Sequence, residues 1–360
     1  MVLVVNGVLQ EDAPADSRSL YAAHPVYRET AAQLHSMPAK LVGPVGLLYV
    51  QQREMAVTLP QDSEYRINPS VSPSFLTYFH PSRRCRFESI INTTFVTVLR
   101  NLCDFKLNCC FMRLHKCKCV SQILKKKFNR SILQIKKLAL AHLDGAGTED
   151  AASAMVQRVT QLAAQGFHEG RIELQLVGGY SDPRNYSEEL FYNILSAFHK
   201  QPMEIDLTLC CVGELNTTAR GGIHWPVIYG IGLNVKTGEI FPATFPDKGP
   251  DQALRSARHL TGGQQVLDIY DFDHGLLRIG PFNYDPLRGV DLWLAQSDQF
   301  ILQHLSTSPD VEPPHFVSQI RATLKYIQDN PFPAVTVFRD NLARYYRRDE
   351  ATGGWQAIRY

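Results

Sequence analysis

The chain has 360 residues, of which 44% are hydrophobic and 20% charged, and its formal net charge is +2. These values are typical of a globular protein, and this length allows a large core without disulfide bonds or structural metal ions. No apolar run approaches the ~20 residues of a membrane-spanning helix, and the start lacks the basic residue and long apolar stretch of a secretory signal. We therefore expect a protein of the cytoplasm or nucleus, with reduced thiols and no membrane partner.

The hydrophobic pattern mixes helices and strands, without the strict alternation of a β-α-β protein. Before residue 220 it predicts a helical stretch at 16–36 broken near Pro25, a strand or hairpin at 47–59, helices around 155–163 and 190–198, the second capped by Ser187, and strands at 172–176 and 205–211. After residue 220 it predicts a hairpin at 226–241, a helix at 253–260, strands at 266–270 and 276–279, helices within 291–329, and strands at 335–338 and 344–358. The pattern favours the α+β class and a single domain over residues 1–360.

Residues 64–137 differ in composition from the rest of the chain. They contain 15 lysines and arginines but 3 acids, six of the eight cysteines, and neither glycine nor alanine. The rest of the chain carries a net negative charge. These biases indicate an anomalous basic, cysteine-rich insertion. Repulsion between its cations and the lack of glycine for tight turns predict that it is loosely packed or poorly ordered.

The local pattern of this segment supports neither of two functions that its composition suggests. The lysine run at 125–127 could contact nucleic-acid phosphates, but no recognition module surrounds it. Cys109 and Cys110 are adjacent, and Cys117 and Cys119 are closer together than zinc ligands usually are. The chain also lacks the glycine motifs that bind dinucleotides or phosphates. We therefore predict no nucleic-acid partner, no metal site and no cofactor.

His142 is the strongest candidate for a reactive side chain. It follows the apolar, strand-like run L-A-L-A and comes just before the turn residues Asp144-Gly145. A histidine at the end of a strand is held rigidly and can point into a cleft, although a hydrogen-bonded histidine at a turn would give the same pattern. Cys210 and Cys211 lie in an alternating strand, where a cysteine usually packs as a small hydrophobic residue.

Six longer motifs carry a resemblance to a known family. They are G-P-V-G-L-L-Y-V-Q-Q-R-E-M-A-V-T at 43–58, L-Q-L-V-G-G-Y-S-D at 174–182, C-V-G-E-L-N at 211–216, P-V-I-Y-G-I-G-L-N-V-K-T-G-E-I at 226–240, L-R-I-G-P at 277–281 and L-S-T-S-P-D-V-E-P-P-H-F-V at 305–317. Together they resemble the protein N-terminal asparagine amidohydrolases of eukaryotes. The resemblance covers residues 1–62 and 138–360.

The resemblance implies a reaction, a fold and a set of partners. The reaction is hydrolysis of the side-chain amide of an N-terminal Asn to give Asp and ammonia, by a cysteine nucleophile paired with a histidine. An imidazole that activates a thiol and then protonates the departing ammonia suits this chemistry. The implied fold is a mixed α/β sandwich resembling chemotaxis-type glutamine deamidases. The implied partners are proteins or peptides beginning with Asn, in the N-degron pathway of ubiquitin-dependent protein catabolism.

The family histidine is matched, but the family cysteine is not. His142 in A-H-L-D-G matches the histidine block. A T-T-C-H strand should precede it by a short distance, around Ile123–Phe128, where the sequence reads I-L-K-K-K-F. We therefore expect that residues 64–137 replace the nucleophile strand, through a retained intron or a faulty gene model. Cys117 and Cys119 lie nearby without the flanking motif and are weak substitutes.

This departure leaves two hypotheses. The first is an N-terminal asparagine amidohydrolase whose chain as written releases little ammonia. The second is a catalytically inactive protein that still binds N-termini through the same scaffold. In either case the free α-ammonium group of the substrate needs acceptors, and Asp182 or Glu214 could serve. Each also has a structural explanation, Asp182 as a turn residue and Glu214 as a surface acid at a strand end. The sequence does not indicate an oligomeric state.

Overall fold

The computed structural model describes residues 2–5, 7–43, 46–58, 75–77, 95–102, 136–164, 171–235, 237–306, 309–349 and 351–358. The strands are β1 (Val2–Val5), β2 (Val8–Gln10), β3 (Lys40–Leu41), β4 (Glu54–Thr58), β5 (Phe75–Thr77), β6 (Phe95–Leu102), β7 (Lys136–Leu143), β8 (Arg171–Gly178), β9 (Glu204–Val212), β10 (Thr217–Arg220), β11 (Ile223–Pro226), β12 (Ile231–Leu233), β13 (Ile240–Thr244), β14 (Leu267–Asp268), β15 (Tyr270–Asp271), β16 (Leu276–Ile279), β17 (Arg344–Arg348) and β18 (Trp355–Ala357). The α-helices are α1 (Ser17–Ala23), α2 (Val26–Ser36), α3 (Thr148–Ala164), α4 (Tyr186–His199), α5 (Gln252–Leu260), α6 (Val290–Leu294), α7 (Asp298–Leu305), α8 (Phe316–Asp329) and α9 (Pro333–Thr336). Over these ranges, every helix is too short or too polar to cross a bilayer.

An eight-stranded mixed sheet forms the centre of the fold, with the strand order β14-β4-β7-β6-β8-β9-β1-β2. Strands β4, β7, β6 and β8 pair antiparallel in that order. Strand β9 then runs parallel to both β8 and β1. Mixed pairing of this kind, with helices and smaller sheets around it, confirms the α+β class.

The two faces of this sheet pack against different layers, because side chains alternate along each strand. On β7, Ala139, Ala141 and Leu143 join a core cluster that includes residues of α1, α3 and α4. Leu138 and Leu140 join a second cluster on the opposite face. Strands that precede residues 64–137 in the sequence and strands that follow them contribute to each of these clusters.

The second face is covered by smaller sheets and by α2. One sheet has the order β3-β13-β12-β5 and another the order β15-β16-β17-β18. Helices α5 to α8 share a third apolar cluster beside this layer, which contains Leu260, Ile301, Leu324 and Ile327. This helical cluster brings α5 and α8 close to the end of β7.

Three stretches of the anomalous segment 64–137 lie within the described part of the chain. They are β5, β6 and the first two residues of β7, and β6 is hydrogen-bonded along its whole length to both β7 and β8. Residues 95–102 are therefore an interior strand of the main sheet, not a loosely packed loop. The expected poor order of the rest of the segment concerns residues outside the described ranges.

Two local expectations differ from the structure. Helix α4 begins one residue before Ser187, and the carboxylate of Asp182 accepts from the backbone N–H groups of Tyr186 and Ser187 at 3.1 and 2.9 Å. Asp182 thus caps the helix in place of Ser187. Residues 333–336 form a short helix where a strand at 335–338 was expected, because Pro333 at its first position has the backbone angle that begins a helix.

Candidate functional site

His142 lies at an edge of the main sheet where several strands begin or end. Strands β7, β8 and β9 end there, whereas β4 and β6 begin there. In the strand register, His142 is opposite Val96 of β6, Val96 is opposite Val177 of β8, and Val177 is opposite Cys211 of β9. These four residues form one row across the sheet, with His142 and Cys211 at its ends.

His142 is 3% exposed and lines a cavity of about 110 Å³. The other lining residues come from the segment before β4, the loop before α5, α5 itself and α8: Tyr49, Gln51, Gln52, Lys248, Gln252, Ser256, His259, Leu260, Phe316, Gln319, Ile320 and Thr323. Most of these side chains are polar and uncharged. The cavity has room for several water molecules or one small side chain, and its walls suit a polar group.

Two buried ion pairs support the wall of this cavity. The Arg53 Nε is 2.9 Å from Asp144 Oδ2, and the Arg255 Nη2 is 2.6 Å from Glu54 Oε2. All four side chains are at least 96% buried. Gln52 also donates to the Asp144 carboxylate. Since a buried charge without a partner is costly, these pairs fix the segment before β4 against β7 and α5.

The backbone turn at Arg53 is itself constrained. Arg53 has a φ of 60°, in the left-handed region that non-glycine residues rarely adopt. Its N–H donates to the His142 carbonyl at 2.9 Å, and its own carbonyl accepts from the Arg258 guanidinium. Such a conformation persists when its surroundings determine it, and here it ties the turn directly to His142.

Burial keeps the histidines of the site neutral. It lowers the pKa of His142 to about 4, and the negative charges of Asp144 and Glu54 oppose this shift only in part. Burial also lowers the pKa of His259 to about 3. Near pH 7 both imidazoles are therefore neutral and able to accept a proton. Lys248 donates to Gln319 Oε1 at 2.9 Å, and burial lowers its pKa to about 8.

Asp182 and Glu214 follow β8 and β9 at the same sheet edge, but the structure gives both carboxylates other partners. Asp182 is 9% exposed and caps α4. Glu214 accepts from the exposed Arg28 at 2.7 Å. Neither is among the residues that line the cavity at His142. A role for these two acids in binding the substrate ammonium group stays a prediction.

The two cysteines in the described part of the chain do not share this cavity. Cys211 Sγ is 3.3 Å from His35 Nε2, and Cys210 Sγ is 3.6 Å from the Tyr21 hydroxyl. Both are completely buried, and burial raises the pKa of both thiols, that of Cys211 to about 12. Neither is therefore a thiolate near neutral pH. Cys117 and Cys119 lie outside the described residues.

The strand beside His142 was not identified from the sequence. The expected position of a nucleophile strand, Ile123–Phe128, lies outside the described residues, whereas in the structure β7 pairs with β4 on one side and with β6, from the anomalous segment, on the other. In the sequence, Thr93-Thr94 directly precedes β6, so the first two letters of T-T-C-H are followed by Phe95. The alternation in F-V-T-V-L-R, together with this Thr-Thr pair, is the signal that could have located it.

Metal chemistry has no candidate ligands in the described ranges. No group of three or more His, Cys, Asp or Glu side chains is placed there to hold an ion.

Comparisons with known proteins show the family to which the chain belongs. A family model described as "Protein N-terminal asparagine amidohydrolase" matches residues 116–357. Curated relatives with that same name include the protein of Sus scrofa and that of Homo sapiens, each 37% identical over 96% of this chain and 94% of the relative. The Mus musculus protein is 36% identical over 99% of this chain and 98% of its own length. The chain belongs to the protein N-terminal asparagine amidohydrolase family.

Proposed function

We propose that the scaffold of this protein serves hydrolysis of the side-chain amide of an N-terminal Asn in proteins or peptides, giving N-terminal Asp and ammonia, and that residues 64–137 replace the strand that carries the thiol. The observation that carries the proposal is that a chain of this family has a neutral, buried histidine in a polar cavity with room for one small side chain. The shared name of the relatives favours an enzyme over a catalytically inactive binding protein.

His142 is the group that would move protons in this reaction. A neutral imidazole can take the proton of a thiol, whose sulfur then attacks the amide carbon. When the tetrahedral intermediate collapses, the imidazolium gives this proton to the departing nitrogen, and ammonia leaves. Water then cleaves the thioester, which releases Asp and restores the thiol. No cofactor takes part in these steps.

The thiol for this reaction has to reach the face of β7 that carries His142. Cys210 and Cys211 are poor candidates, because both are buried away from the cavity with raised pKa values. Val96 is the residue of β6 opposite His142. Side chains alternate between the two faces along a strand. The register therefore puts a thiol at position 96 on the same face of the sheet as His142, and a thiol at position 95 on the face of Leu143, which packs against the helices.

Measurement of ammonia release from an Asn-initiated peptide tests this proposal. We expect little release by the chain as written, and more after introduction of a cysteine in β6 opposite His142, as in Val96→Cys. Phe95→Cys places the cysteine where the Thr-Thr match puts the third letter of T-T-C-H, so release by Phe95→Cys and not by Val96→Cys would show that the motif, and not the strand register, locates the thiol. Addition of His142→Ala to an active variant should abolish the gain, and a Gln-initiated peptide tests specificity.

The outcomes separate the parts of the proposal. Robust turnover by the unmodified chain would mean that a cysteine outside the described ranges is the nucleophile, and Cys117 and Cys119 would be the first to replace by serine. No activity in any cysteine variant, with the protein folded, would refute the role of His142. The proposed replacement of the nucleophile strand by residues 64–137 is tested by sequencing the transcript across that segment.

The wider setting follows from the same resemblance. The proposed product, an N-terminal Asp, would enter the N-degron pathway of ubiquitin-dependent protein catabolism in the cytoplasm or nucleus. The proposed fold relation to chemotaxis-type glutamine deamidases is supported by the mixed sheet with layers on both faces.

A further inference from the structure

Gln51 carries an unused hydrogen-bond donor in the wall of the cavity. Its side chain is 6% exposed, and its Nε2 has no hydrogen-bond partner among the described residues. Buried polar groups are almost always paired, and a buried donor left unpaired destabilises the fold. Gln51 lines the same cavity as His142, so a ligand in that cavity could supply the acceptor.

The amide of Gln51 is held in one orientation. Its Oε1 accepts from the Ser256 hydroxyl at 3.1 Å, and this contact leaves Nε2 as the free end. The backbone N–H of Gln51 donates to Glu54 Oε2 at 2.7 Å, and Glu54 is paired with Arg255. Both contacts connect Gln51 to α5, so the donor is fixed before any ligand arrives.

Two other glutamines of the cavity already have partners, whereas His259 Nδ1 has none among the described residues. The Gln52 amide donates to Asp144, and Gln319 accepts from Lys248. Gln51 Nε2 is therefore a donor that a ligand can use without breaking a contact of the described structure.

We propose that Gln51 binds the side-chain carbonyl oxygen of the substrate's N-terminal Asn through its Nε2 donor. This inference rests on the proposed function, because it takes the amide to be hydrolysed as the occupant of the cavity. An uncharged carboxamide offers the acceptor that the donor lacks, next to the imidazole that handles the proton. The same donor faces the oxygen that becomes negative when the amide carbon is attacked, where such a contact contributes most.

Peptide binding tests this role without any need for turnover. The affinity of the full-length chain is measured by fluorescence anisotropy, immediately after mixing, for two labelled peptides that differ only in an N-terminal Asn or Ala. We expect Gln51→Leu to weaken binding of the Asn peptide about fivefold to tenfold, the loss of one hydrogen bond, and to leave the Ala peptide unchanged. Gln33→Leu, at an exposed glutamine of α2, is the matched control and should change neither affinity.

Two further measurements separate binding from a structural role. The melting temperature of Gln51→Leu should stay close to that of the natural chain, because removal of a buried unpaired donor offsets loss of the Ser256 contact, whereas loss of a structural glutamine would lower it. Gln51→Glu should weaken binding of the Asn peptide at least as much as Gln51→Leu. Tighter binding by Gln51→Glu would overturn the inference, since it would mean that residue 51 accepts from the ammonium group.

Failure of the inference and failure of the proposed function give different results. If the natural chain binds the Asn peptide no better than the Ala peptide, the proposed function fails. If it prefers Asn and Gln51→Leu keeps that preference, Gln51 has no part in recognition and the proposed function stands.

Discussion

The row of residues that runs across the main sheet from His142 to Cys211 has different surroundings at its two ends. At one end, His142 lines a polar cavity, and no cysteine in the described part of the chain lies beside it. At the other end, Cys211 is 3.3 Å from His35, inside an apolar cluster. The two ends are three strand spacings apart, about 14 Å.

Proximity of a cysteine and a histidine is thus a poor guide to chemistry in this protein. Reaction requires that the substrate reach the sulfur and that the thiolate form. Burial prevents both at Cys211, where it raises the pKa of the thiol to about 12 and lowers the pKa of His35. At His142 the cavity and the supporting ion pairs are present. The His142 end of the row, which has no cysteine beside it among the described residues, therefore has the better environment for catalysis.

Removal of the charges that support the His142 end should have the largest effect on stability. Arg53→Ala leaves the buried Asp144 carboxylate without its cation, and we expect the free energy of unfolding to fall by roughly 3–5 kcal/mol. Urea denaturation measures the loss. The control is Arg28→Ala at the exposed pair with Glu214, which should cost less than about 1 kcal/mol. Similar losses in both variants would mean that the His142 end is not specially supported.

The pKa of His142 predicts a second difference, which appears on acidification. The pKa is lowered from 6.5 to about 4 in the folded protein, so between these values the unfolded chain binds a proton that the native state does not. Folding stability therefore falls with decreasing pH through this window, by about 3 kcal/mol from this residue.

Comparison with His142→Asn isolates this contribution. Denaturation curves of both proteins at pH 6.5 and pH 4 give the change in free energy of unfolding for each. The natural chain should lose about 3 kcal/mol more than the variant, because the other titrating groups are common to both. Equal losses would show that His142 is not buried and neutral.

Replacement of Cys211 should affect packing and nothing else. Cys211→Ala removes a sulfur atom from the apolar cluster, and we expect a loss of about 1–2 kcal/mol. Peptide binding and ammonia release should not change. Peptide mapping after treatment with a thiol reagent should find Cys211 unmodified in the native protein at pH 8 and modified once it is unfolded. Loss of activity in this variant would move the functional site to the Cys211 end.

Local patterns in the sequence predicted most elements of the fold. The break at Pro25 separates α1 from α2, and the hairpin after Pro226 is formed by β12 and β13. These features depend on residues close in sequence, whose periodicity and turn chemistry are visible without the fold.

Features that depend on distant residues were not predicted. The Arg53–Asp144 pair joins positions 91 residues apart, and β6 fits between β7 and β8 only once the sheet is assembled. The same limit applies to the contact of the Asp182 carboxylate with the first N–H groups of α4, whereas its role in substrate binding stays a prediction. His142 was proposed from its place at the end of a strand and from the family resemblance, whereas no local pattern distinguished Gln51.

The smallest predicted effect concerns β6, the strand between the two ends of the row. Thr97 is fully buried in β6, opposite Ala141 and Leu176, and its hydroxyl has no hydrogen-bond partner among the residues that the structure describes. Thr97→Val replaces this hydroxyl by a methyl group of nearly the same size. We expect the free energy of unfolding to rise by about 1 kcal/mol, because the cost of the unpaired hydroxyl disappears without a cavity.

Thr323→Val is the control, for which we expect the opposite change in the free energy of unfolding. Thr323 is 5% exposed, and its hydroxyl donates to the Gln319 carbonyl at 2.9 Å, so this substitution should lower the free energy of unfolding by about 1 kcal/mol. Urea denaturation of both variants gives the two signs. If Thr97→Val is neutral or destabilising while Thr323→Val behaves as expected, β6 is not packed inside the sheet. The start of β6 would then be the wrong place from which to supply His142 with a thiol.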